Sequence, residues 1–426
     1  MTGKRKILNI KQINIKQINI KHHTLKILFI LPRFPFPLEK GDKLRAYNQI
    51  RYLASNNEVY LFALSHQRVD DNAVDEMSKF CKDICVARLS KIKGALRVVR
   101  NFFSVRSLQI GYWDSRRARS LYRDFEAKVR PDVVYAQMVR TMKYAAHSTF
   151  PRVLDFQDAL SMNFERRMLK HRSLSYFVLH YEFKMLRSAE FNACGIFDRL
   201  TVISERDSEA IPQHKDTVID IVRNGVDFDY FRPIDMPKEY DVVFCGNMQY
   251  RPNIDASLFL AEEVMPIVWQ SRPEAKLLLA GATPKGAVRQ LASERVTVTG
   301  SVDDIRPCYA SAHVFVAPMR IGSGLQNKLL EAMSMGIPCV TTSLANASLG
   351  ASDRRHILVA DDATSIAQSI VRLLDDRRLR DNIASEASAF VHDNFSWQSA
   401  VGKLETILRQ AMTSSNKHEE KQLEEE

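Results

Sequence analysis

The sequence predicts two α/β domains, each a doubly wound parallel sheet flanked by helices, that face each other across a cleft. Three observations lead to this prediction. The chain has 426 residues, which is longer than a single hydrophobic core usually grows. Short apolar runs alternate with longer segments of helical period, as is typical of parallel sheets covered by helices. The apolar runs also fall into two series, separated by a proline-containing segment of mixed charge at residues 233–238.

The two series supply the predicted strands. The first domain, residues 25–232, contains apolar runs at residues 26–31, 59–64, 84–89, 132–137, 152–156 and 199–204. The second domain, residues 233–394, contains runs at residues 241–246, 276–281, 296–300, 313–318, 338–342 and 356–360. Ligands of such sheets bind beyond the carboxyl ends of the strands. The cleft between the two domains is therefore the predicted ligand site.

The two ends of the chain differ from the rest. Residues 1–24 include a basic near-repeat, KQINI KQINI K, which predicts a disordered extension or translation from an upstream start codon. Residues 413–426 predict a disordered acidic tail. No apolar run approaches the roughly 18 residues of a membrane span, and the six cysteines lack zinc-site spacing. A cytoplasmic protein that is neither secreted nor integral to the membrane is expected.

The chain is basic, with a formal net charge of +11 and a pI near 9.3. This charge fits an anionic small molecule, a nucleic acid or an anionic membrane. The positive charge is concentrated in the first domain, where residues 88–130 carry twelve Lys and Arg against three acidic residues. Nucleic-acid binding would need aromatic platforms or a known module, and the sequence has neither. A small anion or a membrane surface remains as the expected partner.

Residues 91–107, KIKGALRVVRNFFSVRS, have a basic amphipathic pattern. Leu96, Val99, Phe102 and Phe103 recur at helical spacing among arginines. Such a helix suits docking on anionic lipid. The alternative is a surface helix whose apolar face packs on the core. Both interpretations stay open at the level of the sequence.

The most informative segment is residues 317–342, APMRIGSGLQNKLLEAMSMGIPCVTT. A strand runs into Gly322 and Gly324, and a helix is predicted to start near Leu325 and to continue to Gly336. Glycines before a helix let the backbone approach a ligand, and the amides of the first helical turn bind phosphate oxygens. The segment therefore predicts a diphosphate site. Arg320 and Lys328 would supply the cations that neutralise a leaving diphosphate.

Glu331 lies in the same predicted helix beside an apolar stretch. A buried carboxylate is costly unless it has a partner. Contact with the vicinal hydroxyls of a ribose would satisfy it. The alternative is an ion pair with Lys328 at i, i+3.

These motifs resemble the donor-site signature of glycosyltransferase family 4, in order and over residues 26–412. Residues 223–233, RNGVDFDYFRP, are similar to the linker of that family, and residues 244–256, FCGNMQYRPNIDA, to the first loop of its second domain. Residues 395–401, FSWQSAV, resemble its C-terminal helix, which crosses back to the first domain, here residues 395–412. Residues 31–54 and the IGSGLQNKLLEAM pattern resemble sugar transferases of PEP-CTERM exopolysaccharide systems.

The resemblance implies a GT-B fold, with two Rossmann-like domains that close over a nucleotide-sugar. It implies transfer of the sugar with retention of anomeric configuration, aided by Lys328, Arg320 and helix amides. The residues expected to bind the donor are Gly41, Gly246, Asn247, Arg251, Gly322, Ser323, Gly324, Leu325, Gln326 and Glu331.

The sequence departs from the family at two points. Many members have a glutamate for the donor hexose where this chain has Ser323. Many also have an Arg and a Lys in the first loop of the second domain, whereas this chain has Asn247 and Arg251 and no lysine. Arg320 and Lys328 are expected to replace those cations. The sugar-binding half of the donor site is therefore less well defined by the sequence than the nucleotide half.

The first domain offers two candidate positions. Gly41 follows the first strand in a proline-stiffened loop and permits close approach to a phosphate or an acceptor. Asp158 follows the strand at residues 152–156, and it either orients the acceptor hydroxyl and takes its proton or caps the next helix. Asp227 and Asp229 match the Asp-x-Asp pattern of metal-dependent transferases. They lie in the linker rather than at a strand end, so no metal and no cofactor are expected.

The sequence thus predicts a retaining glycosyltransferase that moves a sugar from a nucleotide-sugar to a lipid-linked or polysaccharide acceptor in exopolysaccharide synthesis. The predicted location is cytoplasmic, with peripheral contact at the inner face of the plasma membrane. Two other functions share the architecture. One is a catalytically silent nucleotide-sugar-binding partner, which Ser323 motivates. The other is a non-hydrolysing nucleotide-sugar epimerase, which needs cleft histidines that the predicted strand ends do not supply.

Overall fold

The computed structural model describes residues 24–38, 40–104, 106–170, 175–215, 217–322 and 324–424. The predicted extension at residues 1–24 lies outside these ranges except for Thr24. Within the described ranges the chain forms two parallel sheets, one in each half. The fold class predicted from the sequence, two Rossmann-like domains, is confirmed.

The first domain contains seven strands and nine α-helices among its described residues. The strands are β1 Lys26–Leu31, β2 Glu58–Ser65, β3 Cys81–Arg88, β4 Val133–Gln137, β5 Arg152–Gln157, β6 Arg199–Val202 and β7 Ile219–Ile221. The helices are α1 Gly41–Leu53, α2 Asp71–Ser78, α3 Lys91–Phe103, α4 Leu108–Trp113, α5 Arg116–Val129, α6 Met142–Ala145, α7 Leu160–Lys170, α8 Ser175–Cys194 and α9 Glu205–Ala210. A 3-10 turn, Val139–Thr141, follows β4.

The second domain contains six strands among its described residues. They are β8 Tyr240–Cys245, β9 Leu277–Ala280, β10 Val296–Val298, β11 Ala312–Ala317, β12 Cys339–Thr341 and β13 Leu358–Val359. Its helices are α10 Arg251–Phe259, α11 Met265–Ser271, α12 Gly286–Arg289, α13 Arg306–Ala310, α14 Asn327–Ser334, α15 Ser343–Leu349, α16 Ala363–Asp375 and α17 Arg377–Asn394, with a π-helical turn, Leu260–Val264, between α10 and α11. The last helix of the chain is α18, Trp397–Glu424.

Both sheets have doubly wound strand orders, β3-β2-β1-β4-β5-β6-β7 and β10-β9-β8-β11-β12-β13. The order reverses between β1 and β4 in the first sheet and between β8 and β11 in the second. The loops diverge at such a reversal and leave a crevice beyond the carboxyl ends of the strands. The ligand-binding sites of this protein are therefore expected at these two crevices.

The strands form because continuous apolar runs suit a sheet that is covered on both faces. Leu28 and Phe29 of β1, for example, are both fully buried but point to opposite faces of the sheet. Leu28 belongs to the core cluster on one face and Phe29 to the cluster on the other. All twelve predicted strands are present. The sequence missed β7, because three residues at a sheet edge carry too short a pattern to detect.

Helix α18 packs on the first domain although it follows the second in sequence. Trp397, Leu404 and Leu408 are buried in the core cluster that also contains residues of α1. The linker passes against its start, since a side chain at Gly225 would lie within 3 Å of the Trp397 backbone. The predicted end of this helix at residue 412 is wrong, because the helix continues to Glu424. The Lys-, Gln- and Glu-rich sequence beyond residue 412 consists largely of good helix formers.

A buried ion pair fixes α1 to the sheet next to the linker. Arg45 Nε donates to Asp155 Oδ2 at 2.7 Å, and both side chains are fully buried. Arg45 also donates to Asn224 Oδ1 at 2.8 Å, and Thr201 donates to Asp155. These contacts satisfy both charges, as burial requires.

Among the described helices, none combines the length and the apolar character that crossing a lipid bilayer requires.

Candidate active site

The loop between β11 and α14 has the backbone expected of a phosphate-binding turn. Gly322 has a φ of 115° and Gly324 a φ of 79°, a region that side chains disfavour. The helix begins at Asn327, two residues after the predicted start, because Gln326 still has an extended backbone. The loop therefore delivers the N-terminus of α14 to the cleft edge of the second sheet.

The end of this loop that precedes α14 is held in place. Leu325 packs against the core of the second domain. Gln326 Nε2 donates to the carbonyl of Gly324 at 3.3 Å. Ser323, the residue that departs from the family pattern, lies outside the described residues.

Lys328 lies where the loop after β8 meets the first turn of α14. Its Nζ donates to Asn253 Oδ1 and lies 4.7 Å from the centroid of the Phe244 ring. Asn253 in turn donates to the Asn247 carbonyl at 2.9 Å. A side chain at Gly246 would meet Asn253 Nδ2 at 2.7 Å and Lys328 Nζ at 3.3 Å. A larger residue there would displace the Asn253 side chain, and the structure thus brings Gly246, Asn247 and Lys328 together.

Glu331 is held by a residue that the sequence did not indicate. Tyr309 donates its hydroxyl to Glu331 Oε2 at 2.6 Å. Burial raises the pKa of Glu331, against the effects of this hydrogen bond and of the Lys328 charge. Burial also lowers the pKa of Lys328, to about 8. Each side chain has a different hydrogen-bond partner, so the alternative of a direct Lys328–Glu331 ion pair is not what the structure shows.

The predicted cations Arg320 and Arg251 are both exposed at the surface of the second domain. Arg320 forms ion pairs with Asp255 at 3.1 Å and Glu263 at 3.2 Å, and it stacks on the Phe259 ring at 4.1 Å. Its guanidinium is therefore directed at α10 and the π-helical turn. Arg251 is the first residue of α10. The predicted contact of Arg320 with a diphosphate would require it to leave these carboxylates, and Lys328 is the better-placed cation.

Gly41 is the first residue of α1 and is exposed. A side chain there would meet no atom within 4 Å, so the surrounding residues do not demand a glycine. The loop before it is braced by an ion pair between Arg33 and Asp42. Gly41 is thus placed at the β1 end of the first crevice, with open space in front of it.

Asp158 follows β5 at the edge of the cleft. Its Oδ2 accepts from Asn163 Nδ2 at 3.0 Å. Burial, together with the charge of Asp207, raises its pKa to about 6. The preceding residue, Gln157, has a φ of 64°, and its Nε2 is buried without a hydrogen-bond partner among the described residues. A ligand that accepts a hydrogen bond would satisfy this amide.

Asp158 does not cap α7, so one of its two predicted roles is wrong. The backbone amide of Ala159 donates to Asp207 Oδ1 at 3.1 Å, and that of Ser161 donates to Glu190 Oε1 at 3.0 Å. Two carboxylates from distant helices therefore occupy the capping positions. The role of orienting an acceptor hydroxyl remains for Asp158.

Two hydrogen bonds join the domains across the cleft at this point. Arg166 Nη1 of α7 donates to the Gly322 carbonyl at 3.3 Å. Asn224 Nδ2 of the linker donates to Asn327 Oδ1 at 3.3 Å. Asp158 also perturbs the pKa of Tyr250, a residue of the second domain, whose pKa is raised mainly by burial. The loop after β5 thus faces the glycine loop.

Sequence reasoning missed the residues that position the site, including Asn253, Tyr309 and Arg166. Asn253 lies in the FCGNMQYRPNIDA motif, so of the three it is the one that the sequence could have indicated. Tyr309 and Arg166 come from elements whose sequences carry no signal for a site. Only the fold brings them to Glu331 and Gly322.

Asp227, the first residue of the Asp-x-Asp pattern, has structural partners. Asp227 Oδ1 accepts from the Tyr230 amide at 3.1 Å, and Asp227 Oδ2 pairs with Arg51 at 3.2 Å. Among the described residues no group of three His, Cys, Asp or Glu side chains is arranged to hold a metal ion. Independence from metal stays a prediction.

Comparison with known proteins identifies the second domain. Residues 239–376 match the family model described as "Glycosyl transferases group 1". This range contains the glycine loop, Lys328 and Glu331. The prediction that the chain is a glycosyltransferase is confirmed, while its assignment to family 4 and to PEP-CTERM systems stays a prediction.

Three proteins show the range of similarity. The chain is 23% identical, over 87% of its length and 96% of the other, to an uncharacterized 44.6 kDa protein in the cps region of Klebsiella pneumoniae. It is 27% identical to a phosphatidyl-myo-inositol mannosyltransferase of Mycolicibacterium smegmatis, over 41% of this chain and 48% of that protein. The solved structure of Anabaena HepE in complex with UDP and glucose superposes with a TM-score of 0.66 at 15% identity, covering 91% of this chain and all of that one.

Proposed function

Because the chain carries a group 1 glycosyl transferase domain and is a glycosyltransferase, we propose that it moves a sugar from a nucleoside diphosphate sugar to a lipid-linked or polysaccharide acceptor. The product would be an exopolysaccharide or another cell-surface glycan. The transfer proceeds with retention of anomeric configuration, so that the acceptor hydroxyl attacks from the face that the diphosphate leaves.

The observation that carries this proposal is the set of groups around α14. The glycine loop and the first amides of α14 would receive the diphosphate, and Lys328 would neutralise the charge that develops as it leaves. Tyr309 holds Glu331 through Oε2, and Oε1 would accept from the ribose hydroxyls. Burial raises the pKa of Glu331, as expected of a carboxylate whose remaining hydrogen-bond donors come from a ligand.

Asp158 is the proposed acceptor-side group. Its pKa near 6 leaves it mostly ionised at neutral pH and able to accept a proton. The buried Nε2 of Gln157 would donate to the same acceptor or to the transferred sugar. This assignment supports transfer, since a protein that only binds a nucleotide-sugar needs no titrating carboxylate opposite the donor.

The relatives support the substrate classes. HepE was solved with UDP and glucose, which makes UDP-glucose the first donor to test. The relative in the Klebsiella cps region favours polysaccharide synthesis, and the mannosyltransferase that acts on a phosphatidyl-inositol favours a lipid-linked acceptor.

A lipid-linked acceptor would require contact with a membrane, and α3 offers a surface for it. Ile92, Leu96, Val99 and Phe103 lie on one face of α3 and are 77%, 65%, 58% and 80% exposed, and Phe177 of α8 is 71% exposed. We call these five residues the apolar surface. The alternative that this face packs on the core is wrong, because the face points to solvent. Large exposed apolar patches mark interaction sites.

The charge around the apolar surface favours an anionic membrane as its partner. Lys91, Lys93 and Arg100 of α3 are exposed beside it. Each such cation contributes roughly 1 kcal/mol near an anionic bilayer. Arg97 has a structural role instead, because it donates to the carbonyls of Gly111 and Tyr112. We therefore expect peripheral binding at the inner face of the plasma membrane.

Nucleotide binding tests the donor site. Thermal-shift measurements with UDP-, GDP- and ADP-sugars should show stabilisation by one nucleotide series, because a ligand of the native state raises the melting temperature. Glu331→Gln should lose the shift, whereas Glu294→Gln, at an exposed position of the same domain, should keep it. No shift with any series at millimolar concentration would contradict the donor site.

A turnover assay separates the proposed transferase from the two other functions. Release of a nucleoside diphosphate that depends on an added glycan or lipid-linked acceptor supports transfer. Conversion of the nucleotide-sugar to its epimer would support the epimerase. Binding without any turnover over a panel of acceptors would support the silent partner.

Vesicle binding tests the apolar surface. The wild-type protein should co-sediment with vesicles of phosphatidylglycerol and phosphatidylcholine. Leu96→Ser with Phe103→Ser should weaken binding at least tenfold, and Val218→Ser, at a position 62% exposed elsewhere, should not. Equal binding by all three proteins would refute the membrane role.

A further inference from the structure

Three arginines of the first domain lie at the same edge of its sheet. Arg140 is in the 3-10 turn after β4, Arg166 is in α7 after β5, and Arg206 is in α9 after β6. The three strands are neighbours in the sheet and run parallel. Their carboxyl ends therefore meet at one edge, next to the crevice where ligands of such sheets bind.

Arg140 and Arg166 are partly buried, and neither is paired with an anion among the described residues. Arg140 Nε is buried and has no hydrogen-bond partner among the described residues. The hydrogen bonds of the Arg166 guanidinium go to the Gly322 carbonyl and to Met162 Sδ, both uncharged. In the part of the chain that the structure describes, neither takes part in an ion pair. Burying a cation without a counter-charge is costly.

The surrounding charges agree with this geometry. Burial lowers the pKa of Arg140, and the nearby charge of Arg33 lowers it further. Burial likewise lowers the pKa of Arg166, as does the charge of Arg206. Carboxylates act on both side chains from a distance: Asp158 on each of them, Asp42 and Glu182 on Arg140, and Asp207 and Glu165 on Arg166. Among the described residues none of these carboxylates forms an ion pair with either guanidinium.

A buried arginine with a structural role, by contrast, has a full set of partners. Arg45, which lies deeper in the same domain, has Asp155 and Asn224 as partners for all of its buried contacts. Arg166 has a carbonyl and a thioether as acceptors instead, and Arg140 Nε has no partner among the described residues. The difference indicates that a ligand supplies the missing anion.

The position of Arg166 indicates where an anionic ligand would bind. Its hydrogen bond to Gly322 places the guanidinium at the glycine loop of the second domain, and Asp158 lies on the same wall of the cleft. An anion bound by these arginines would therefore sit on the acceptor side of the reacting sugar.

We propose that Arg140, Arg166 and Arg206 bind a phosphate group on the acceptor side of the cleft. This inference rests on the proposed function and specifies its acceptor. We assign this phosphate to the acceptor, as in a lipid-linked sugar phosphate, and the donor diphosphate is the other source that the experiment distinguishes. Arginine forks match phosphate oxygens in either case. An acceptor phosphate is favoured, because the second domain already offers α14 and Lys328 to the donor.

Calorimetric titration with octyl phosphate and with inorganic pyrophosphate tests the proposal. The wild-type protein should bind at least one of the two probes. Arg140→Gln and Arg166→Gln should each weaken that binding about tenfold or more, the loss expected of one charge-assisted hydrogen bond. Arg117→Gln, which removes the same charge from an exposed position of α5, should leave it unchanged. Arg206→Gln is the half-buried variant to use if the other two do not fold.

Repeating the titration in the presence of a saturating nucleoside diphosphate identifies the source of the phosphate. Undiminished binding of octyl phosphate assigns the site to the acceptor, and competition assigns it to the donor diphosphate. No binding of either probe to the wild type, or equal binding by the cleft variants and Arg117→Gln, would overturn the proposal. The proposed function is judged separately, by nucleotide binding that depends on Glu331.

Discussion

The protonation of Lys328 should control donor binding, and its effect can be worked out from the structure. Burial lowers the pKa of this ammonium group to about 8. The charged form would then make up about 90% of the population at pH 7 and about 10% at pH 9. If only the charged form binds a diphosphate, affinity for a nucleoside diphosphate should fall about tenfold over this range, which is about 1.4 kcal/mol.

The sign of the effect follows from the two states of the protein. A diphosphate stabilises the charged amine, so binding raises the pKa of Lys328 and takes up protons above pH 7. In the unbound protein the pKa of this amine is about 8, so the amine loses its proton between pH 7 and pH 9. A lysine whose pKa is depressed on folding opposes folding at neutral pH, and this cost disappears as pH rises from about 8 to the unfolded value near 10.4. For binding, raising the pH removes the charge that the diphosphate needs, and the complex should weaken.

Isothermal titration with the preferred nucleoside diphosphate at pH 7, 8 and 9 is the measurement. The wild type should lose affinity above pH 8, and the heat should vary with buffer ionisation enthalpy as protons are taken up. Lys328→Arg is the matched control, because a guanidinium stays charged throughout and its affinity should not depend on pH. The same pH dependence in both proteins, or none in the wild type, would refute the role assigned to Lys328.

Three further predictions address the acceptor, the donor loop and the fold. Asp158→Asn should lower kcat by roughly 10² to 10⁴, and the rise of wild-type kcat/KM through pH 6 should vanish in this variant; a retained pH profile would assign that titration elsewhere. Gly246→Ala places a methyl group 2.7 Å from Asn253 Nδ2 and should weaken nucleotide binding tenfold or more in calorimetry without unfolding the protein, while unchanged affinity would remove the loop from the site. Arg45→Met leaves Asp155 buried without its partner and should cost about 3–5 kcal/mol in urea unfolding, whereas a cost below 1 kcal/mol would show that water reaches this carboxylate.

The order of elements could be predicted from the sequence because it depends on local pattern. Runs such as KILFIL at residues 26–31 have an apolar length and composition that fit only a buried strand in this alternation. The edge strand β7 and the length of α18 escaped prediction. β7 is too short to carry a pattern, and the end of α18 depends on helix propensity in a polar segment, which has no apolar period to follow.

The candidate site likewise has a part that could be predicted from the sequence and a part that could not. Gly322, Gly324, Lys328 and Glu331 lie within ten residues of one another, so their relation could be predicted from the sequence. The orientation of Arg320 could not, because its carboxylate partners Asp255 and Glu263 lie about 60 residues away. The sequence predicted a phosphate contact for Arg320, and the structure shows a side chain that is already paired.

The sequence by itself determined the two-domain architecture, the glycine loop and the enzyme class, because each depends on residues that are close together in the chain. Only the tertiary structure decided which groups face one another. Tyr309 reaches Glu331, Glu190 and Asp207 take the helix-capping positions from Asp158, and Arg166 crosses to Gly322. These contacts join residues 22 to 156 positions apart, and the packing of helices on the sheets and of one domain against the other brings them together.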